Sequence, residues 1–158
     1  MVLINIKGMK GNSDVDGYAD WITVDGGFQL GVGRSVTSVG GGKDRDTSDP
    51  ATSNIPITRP SDFSSPDFFM KAMNGGDEGE IKIRVVDGGG DSKVKVLMEV
   101  ILGGAKIDSY NFGSGGDRPN ENIGISFATI SYQYNGFDGA KVKTGTAKKY
   151  SFIENKSV

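Results

Sequence analysis

Cysteine and histidine are both absent from this chain of 158 residues. Without cysteine, the protein has no disulfide bonds, no thiolate metal ligands and no cysteine nucleophile. Without histidine, it has no catalytic triad based on imidazole. An enzyme would have to work with carboxylates, lysine, tyrosine or serine, and the sequence shows no such constellation. We therefore expect no enzymatic activity, no metal and no cofactor.

Long apolar runs and an excess of one charge are also missing. No stretch approaches the roughly 20 apolar residues of a membrane span. The first residues, MVLINIKG, lack the basic start and the cleavage site of a signal peptide. The 18 basic and 20 acidic residues give a net charge of −2, which argues against nucleic-acid binding and against an anionic membrane surface. The length suits one domain, residues 1–158.

Glycine is abundant, with 25 residues against 5 prolines, which is typical of tight turns between strands. Apolar residues alternate with polar ones along most of the chain and predict a mainly β protein. A hairpin is expected between a strand near residues 81–85 and the run KVKVLMEVIL at residues 93–102. The predicted strands carry the apolar residues Val2, Ile4, Ile6, Ile22, Val24, Phe28, Leu30, Val32, Ile81, Ile83, Val85, Ile107, Tyr110, Phe112, Ile123, Ile125, Phe127, Tyr150 and Phe152.

Two of these strands have apolar residues on both faces. In residues 93–102, Leu97 and Ile101 lie on the face opposite to the other apolar residues. In residues 122–134, the apolar positions are odd up to Phe127 and even from Ile130 to Tyr134. A β-bulge near residues 128–129 would keep one face directed inward. Alternatively, the core covers one face and a neighbouring subunit covers the other.

One segment, residues 65–75, is predicted to be helical. Ser65 suits the N-cap and Pro66 the first helical position, while Gly75 and Gly76 form a stop. The apolar residues at helical spacing predict a stripe that packs on a sheet; they are Phe68, Phe69, Ala72 and Met73.

The longest polar segment, residues 38–56, has no apolar periodicity and predicts an exposed loop or a protruding ribbon. Acidic residues alternate in DVDGYAD at residues 14–20 and in DGGGDSK at residues 87–93, as they do in calcium loops. Neither segment has glycine at the sixth position and glutamate at the twelfth, as a calcium loop requires. Solvated turns are therefore the favoured interpretation.

Several motifs in a fixed order resemble the Hcp family, the tube protein of type VI secretion systems. They are NIKG at residues 5–8, WITV at 21–24, FQLG at 28–31, DFSSPDFFMKAMNGG at 62–76 and GSGGDRPNENIGISFATISYQY at 113–134. The resemblance covers nearly the whole chain. It implies a compact β-barrel of two sheets with one short flanking helix.

The resemblance also implies an assembly. Members of the family form hexameric rings that stack into a tube, work with sheath and spike components, and carry or chaperone effector proteins in the lumen. It therefore predicts assembly in the bacterial cytoplasm, secretion without a signal peptide, and neither nucleic-acid binding nor membrane insertion.

Candidate assembly residues follow from this resemblance together with the strand pattern. Gln29 is the candidate lumen residue, because alternation points it away from the core. The charged residues of the polar loop are candidates for stacking of rings: Lys43, Asp44, Arg45, Asp46 and Asp49. The glycine-rich loop and the strand after it are candidates for subunit contact, through Gly115, Gly116, Arg118, Glu121, Tyr132 and Tyr134. Arg118 and Glu121 are expected to anchor the loop by charge-assisted hydrogen bonds.

Two other functions remain open from the residues alone. A monomeric β-sandwich that binds carbohydrate or calcium is suggested by the acidic turns and by Trp21, the single tryptophan. A hydrolase that uses two carboxylates is also compatible with the composition.

Overall fold

The computed structural model describes residues 1–36, 47–88, 93–138 and 141–158, which form thirteen strands and one helix. The strands are β1 (Val2–Ile6), β2 (Ile22–Val24), β3 (Val32–Gly33), β4 (Ala51–Thr52), β5 (Ile55–Pro60), β6 (Gly79–Asp87), β7 (Lys95–Gly113), β8 (Asn120–Ser126), β9 (Thr129–Tyr134), β10 (Gly136–Asp138), β11 (Lys141–Lys143), β12 (Lys148–Ser151) and β13 (Lys156–Ser157), and the helix is α1 (Ser65–Asn74).

The main sheet has the strand order β13-β12-β9-β7-β6-β1-β2. The expected hairpin is present, since β6 and β7 pair antiparallel from Gly79–Ala105 to Asp87–Lys95. Strand β7 is 19 residues long. Its first half pairs with β6 and β9, and its second half pairs with β8, which in turn pairs with β5. One strand therefore belongs to both parts of the fold.

Two glycines bend β7 where it passes from one part to the other. The patterns near residues 93–102 and 107–112 predict separate strands, and this prediction is wrong because the chain continues through Gly103 and Gly104 as one strand. Gly104 has φ 57, and a Cβ atom there would lie 3.0 Å from the Cβ of Ala128. A side chain at Gly103 would collide with Thr129, whose Oγ1 would be 2.3 Å from the new Cβ. The bend thus needs a backbone without side chains.

The segment opposite this bend, residues 122–134, does not form one continuous strand. The expected single strand over residues 122–134 is two strands, β8 and β9, which are separated by Phe127 and Ala128. Strand β8 pairs with the second half of β7 and β9 with the first half, and the Ala128 amide donates to the Gly103 carbonyl at 2.9 Å. The change of parity comes from this corner between two ladders. The predicted β-bulge within one continuous strand is therefore wrong.

A closed barrel is not found among the described residues. The nearest approach to closure lies between the segment after β2 and strand β5. There the Gly26 amide donates to the Thr58 carbonyl at 3.0 Å, and Phe28 forms an isolated bridge with Ile57. These contacts do not form a continuous ladder, so the fold is mainly β with two connected sheet parts and an incomplete seam.

The core lies between the sheet parts and is almost entirely aliphatic. Fully buried residues come from β1, β2, β5, β6, β7 and β8; among them are Ile4, Ile22, Ile57, Ile83, Leu102, Ile107 and Ile125. A smaller cluster of Leu3, Tyr18 and Val86 covers the other side of the sheet, and Val94 and Val96 pack against it. Val96 thus lies on the opposite side of the sheet from Val100, since the β6–β7 register shifts between Val85 and Val86. Leu97 and Ile101 are half-buried and belong to neither cluster.

The helix packs on β7, but with a narrower apolar face than expected. Ser64 occupies the N-cap position predicted for Ser65, and the helix ends at Gly75 in a left-handed conformation. Phe68 is buried and Ala72 packs on the core, whereas Phe69 is 44% and Met73 is 71% exposed. Half of the predicted stripe therefore faces solvent. Within the described ranges, α1 does not reach the length and hydropathy of a membrane-crossing helix.

The described end of the predicted loop, residues 47–56, forms part of a short ribbon. Strands β3 and β4 pair through Val32–Thr52 and Gly33–Ala51, and Val36 forms a bridge with Thr47. The loop prediction extends too far at its end, because β5 begins at Ile55, which is fully buried. Residues 37–46 lie outside the part of the chain that the structure describes.

Candidate assembly surface

The glycine-rich loop between β7 and β8 is held by a buried charged cluster. At its centre, Arg59 of β5 donates from Nε to Glu121 Oε1 at 2.5 Å. Arg59 Nη2 donates to Asp62 Oδ1 at 2.5 Å and to Ser64 Oγ at 2.8 Å. Arg59 and Glu121 are 1% and 0% exposed. We call Arg59, Asp62, Ser64, Tyr110 and Glu121 the arginine cluster.

Glu121 accepts two further hydrogen bonds through its second oxygen. Tyr110 donates from its hydroxyl to Glu121 Oε2 at 2.7 Å, and Ser61 donates to the same atom at 3.2 Å. The guanidinium group of Arg59 lies 5.3 Å from the centre of the Phe68 ring. The cluster therefore connects β5, β7, β8 and the start of α1 around the fully buried pair of Arg59 and Glu121.

This cluster also determines how β8 pairs with its neighbours. Arg59 is opposite Glu121 in the β5–β8 ladder, and Phe112 is opposite Glu121 in the β7–β8 ladder. A slip by one residue would place an asparagine opposite Arg59 and turn Glu121 to the other face of the strand. The buried ion pair thus selects one register.

Arg118 holds the loop from outside. Its Nε donates to the Ser61 carbonyl at 2.8 Å, and the Ser61 amide donates to the Pro119 carbonyl at 2.8 Å. These contacts tie the loop to the segment before α1, and a role of Arg118 and Glu121 in subunit contact stays a prediction. Glu121 is completely buried, so it can act on assembly only through the position of the loop.

The two candidate glycines differ in backbone conformation. Gly116 has φ 115, a value that other residues rarely adopt, and Gly115 has no such restriction. A Cβ atom at either position would have no heavy atom within 4 Å. A larger side chain at Gly115 would therefore extend into solvent without disturbing the subunit.

Tyr132 and Tyr134 leave an aromatic surface uncovered in the single chain. They share a face of β9 with Ile130, which packs against the core, but they are 44% and 58% exposed. Tyr132 and Ile130 line a groove of about 370 Å³ with Leu30, Val32, Arg34, Pro50, Tyr150 and Phe152. We call this the strand groove.

The remaining candidates are scattered. Gln29 is exposed between the half-buried Phe28 and Leu30, as alternation predicts. Asp49 is exposed and accepts a hydrogen bond from the Asn155 side chain. The stacking candidates Lys43, Asp44, Arg45 and Asp46 lie outside the described residues.

Sequence reasoning missed the partner of Glu121. Arg59 is not among the candidate residues that the sequence analysis names. The pattern does contain the information, since Arg59 follows Ile55 and Ile57 at the same spacing, and Glu121 precedes Ile123 and Ile125. Alternation alone places both charged residues on the buried face.

The cluster changes the pKa values of two of its members. Burial raises the pKa of Tyr110 to about 12, helped by its hydrogen bond to the Glu121 carboxylate. Burial would also raise the pKa of Asp62, but hydrogen bonds from Ser64 and Arg59 outweigh it and hold this pKa below the usual value. The cluster thus favours a neutral Tyr110 and an ionised Asp62.

We expect Tyr110 to make stability decrease with pH in the alkaline range. Its folded pKa lies above the ordinary value of 10.0, so its contribution is complete below pH 10.0 and is lost as the pH rises through the folded value. In a phenolate absorbance titration, the difference between the wild type and Tyr110→Phe should correspond to one group that ionises near pH 12. A difference centred near pH 10 would contradict the proposed effect of the cluster.

The described residues contain no group of three or more histidine, cysteine, aspartate or glutamate residues that could hold a metal ion. The arginine cluster itself has every carboxylate oxygen of Glu121 engaged by a donor of the same chain. Its arrangement suits the positioning of a loop.

Comparison with known families gives a match over residues 3–134, to a model described as type VI secretion system effector, Hcp. Among curated proteins, no sequence match is found.

Several solved structures share the fold. A protein described as a type six secretion system protein superposes with a TM-score of 0.89 at 23% identity, over 99% of this chain and 98% of the other. Hcp1 from Salmonella typhimurium gives 0.76 at 16% identity, over 99% and 97%. A type VI secretion system effector from Yersinia pestis gives 0.65 at 16% identity, over 96% and 99%.

Proposed function

Because this chain belongs to the Hcp family of type VI secretion tube proteins, we propose that its copies close into hexameric rings that stack into a secreted tube. The family match, which spans residues 3–134, carries the proposal. The tube would assemble in the bacterial cytoplasm with sheath and spike components and would carry effector proteins in its lumen. In such a structural protein, the candidate assembly residues would define the shape of the subunit and contact neighbouring subunits.

The exposed apolar surfaces support assembly. Tyr132 and Tyr134 continue the core-facing side of β9 beyond the region that the core covers. Closed rings require two different patches on each subunit, and a stable contact buries on the order of 1,000 Å² or more. Contact with a neighbouring copy would remove these aromatic residues from water.

This proposal also assigns roles to the candidate lumen residue and to the candidate stacking residues. Gln29 would line the lumen, where a neutral polar side chain gives a weakly selective surface. The segment that contains Asp49 would contact the next ring, and its charges would make stacking sensitive to salt. Loss of stacked rings at high salt, with single rings intact, is the behaviour that this arrangement implies.

The direct test is the mass of the protein in solution. Native mass spectrometry at micromolar concentration should give a hexamer, and electron microscopy should show annular particles. A strict monomer at high concentration would contradict the proposal. Saturable binding of calcium or of a glycan by such a monomer, measured by calorimetry, would favour the alternative of a β-sandwich binding module.

The glycine-rich loop should affect assembly more than folding. We expect Gly115→Val to unfold at the wild-type temperature, because its side chain meets no neighbour within 4 Å, and yet to shift the equilibrium from rings to monomers. Gly116→Val should do the same with a small loss of stability, because φ 115 strains a β-branched residue. Analytical ultracentrifugation and thermal unfolding separate the two effects.

Gly88→Val is the matched control, since Gly88 also has no neighbour within 4 Å and lies elsewhere in the chain, directly after β6. It should form rings like the wild type. If Gly115→Val and Gly116→Val both form normal rings as well, the loop does not position a subunit contact.

A further inference from the structure

The chain carries a second exposed apolar groove, which lies beside the helix. Phe69 of α1, Tyr110 and Phe112 of β7, Pro66 and Pro119 line it together with Ser61, Asp62 and Ser65, and its volume is about 450 Å³. Tyr110 lies between the two phenylalanines, with ring centres 6.2 Å from Phe69 and 5.9 Å from Phe112. We call this the helix groove. It shares no lining residue with the strand groove.

Two exposed acidic residues, Asp67 and Asp117, lie beside lining residues of the helix groove in sequence. The segment of residues 61–80, which contains α1, has five acidic residues and one lysine. Asp67 follows Pro66 in the first turn of α1, and Asp117 precedes Pro119 by two residues; both are exposed. Neither Asp67 nor Asp117 takes part in an ion pair among the described residues. The one nearby cation of the loop, Arg118, is bound to the Ser61 carbonyl.

Basic residues lie in and beside the strand groove, and one acidic residue, Asp49, precedes its lining residue Pro50. The segment of residues 141–158, which contains Tyr150 and Phe152, has five lysines and one glutamate. Arg34 lines the groove, and Lys148 lies opposite Tyr132 in the β9–β12 ladder. Arg34 and Lys148 are exposed and, like Asp67 and Asp117, form no ion pair within the described ranges.

We propose that the helix groove of one copy docks against the strand groove of the next copy around the ring. The two surfaces are both aromatic, both uncovered in the single chain and opposite in charge, which is the complementarity that a head-to-tail contact requires. This inference rests on the proposed function, which supplies the ring, and adds the pair of surfaces that closes it. Burial of the aromatic side chains in the two grooves supplies affinity, and the charges beside the grooves select the orientation of the two copies.

Reversal of the charges at either groove tests the contact. We compare Asp67→Lys/Asp117→Lys, which makes both grooves of a copy basic, with Arg34→Glu/Lys148→Glu, which makes both acidic. Each double variant places like charges at every contact, so we expect ring assembly at least about tenfold weaker than in the wild type. All four side chains are exposed, and thermal unfolding establishes that each variant folds.

Mixing the two variants is the decisive measurement. In an equimolar mixture each contact pairs an acidic groove with a basic one, provided that the variants alternate around the ring. An even-numbered ring accommodates this alternation, so rings should reappear, and native mass spectrometry should give equal numbers of each variant. Lys7→Glu/Lys106→Glu reverses two exposed charges that line neither groove and should assemble normally.

The outcomes separate this inference from the proposed function. If the wild type forms rings and both charge variants form them equally well, the grooves accept something other than a second copy and the inference is overturned. Folded variants that fail to assemble both singly and in mixture would also overturn it. A wild type that stays monomeric would overturn the proposed function itself, and with it the ring that this contact closes.

Discussion

Ile125→Asp should prevent the subunit from folding. Ile125 is 0% exposed and is paired with Ile55 on one side and Ile107 on the other, both of them core residues. A carboxylate at this position would be buried among aliphatic side chains without a partner, which disfavours the folded state strongly. The cost exceeds about 4–5 kcal/mol, comparable with the whole stability of about 5–15 kcal/mol that a domain has.

Circular dichroism and the yield of soluble protein provide the measurement. Ile153→Asp is the matched control, because the same substitution at a side chain that is 78% exposed should leave the thermal midpoint nearly unchanged. Ile125→Val should fold and lose about 0.5–1.5 kcal/mol. A folded Ile125→Asp protein with wild-type stability would mean that the strand β8 does not face the core.

Glu121→Gln should destabilise the folded subunit by about 3 kcal/mol, the lower end of the range found when one partner of a buried ion pair is removed, because Arg59 keeps Asp62 as a second carboxylate partner. The substitution preserves shape, but it leaves the buried Arg59 without its carboxylate in the β5–β8 ladder. Within the described residues, Arg59 Nη1 already has no hydrogen-bond partner. Arg59 would then depend on Asp62, Ser64 and Ser65 for its remaining contacts.

Urea unfolding at neutral pH measures this effect. Glu80→Gln is the control, because Glu80 forms an exposed ion pair with Lys82 at 3.2 Å, and such pairs contribute at most about 1 kcal/mol. Equal effects of the two substitutions would show that Glu121 is not desolvated. Replacement of Arg59, Asp62 and Glu121 together by apolar residues should cost less than Glu121→Gln, since no charge of the arginine cluster would remain buried.

Local patterns account for the strands and for the helix. Period-two alternation identifies β1, β2, β6 and β8 because each buries one face, and the proline and glycine residues around residues 66–76 identify α1. The same patterns do not say how the strands continue. Two glycines, Gly103 and Gly104, look like a turn in sequence, yet the chain bends there without leaving the sheet, because the partner strand changes from β9 to β8.

The arginine cluster shows another limit of local sequence patterns, which do not say which residues meet across neighbouring strands. Arg59 and Glu121 are 62 residues apart, so only the ladder between β5 and β8 brings them together. The stripe of α1 shows a third limit, since periodicity finds apolar residues but does not say whether the subunit or a neighbour covers them. Phe69 and Met73 fit the helical pattern as well as Phe68 does and nevertheless face solvent.

Strand β7 has a mechanical consequence. Its backbone runs through both sheet parts, and at the Gly103–Gly104 bend it touches the corner where β8 gives way to β9. A force that pulls on one sheet part is therefore transmitted along the covalent backbone of β7 to the other sheet part. The two sheet parts are therefore not independent layers, because one continuous strand joins them.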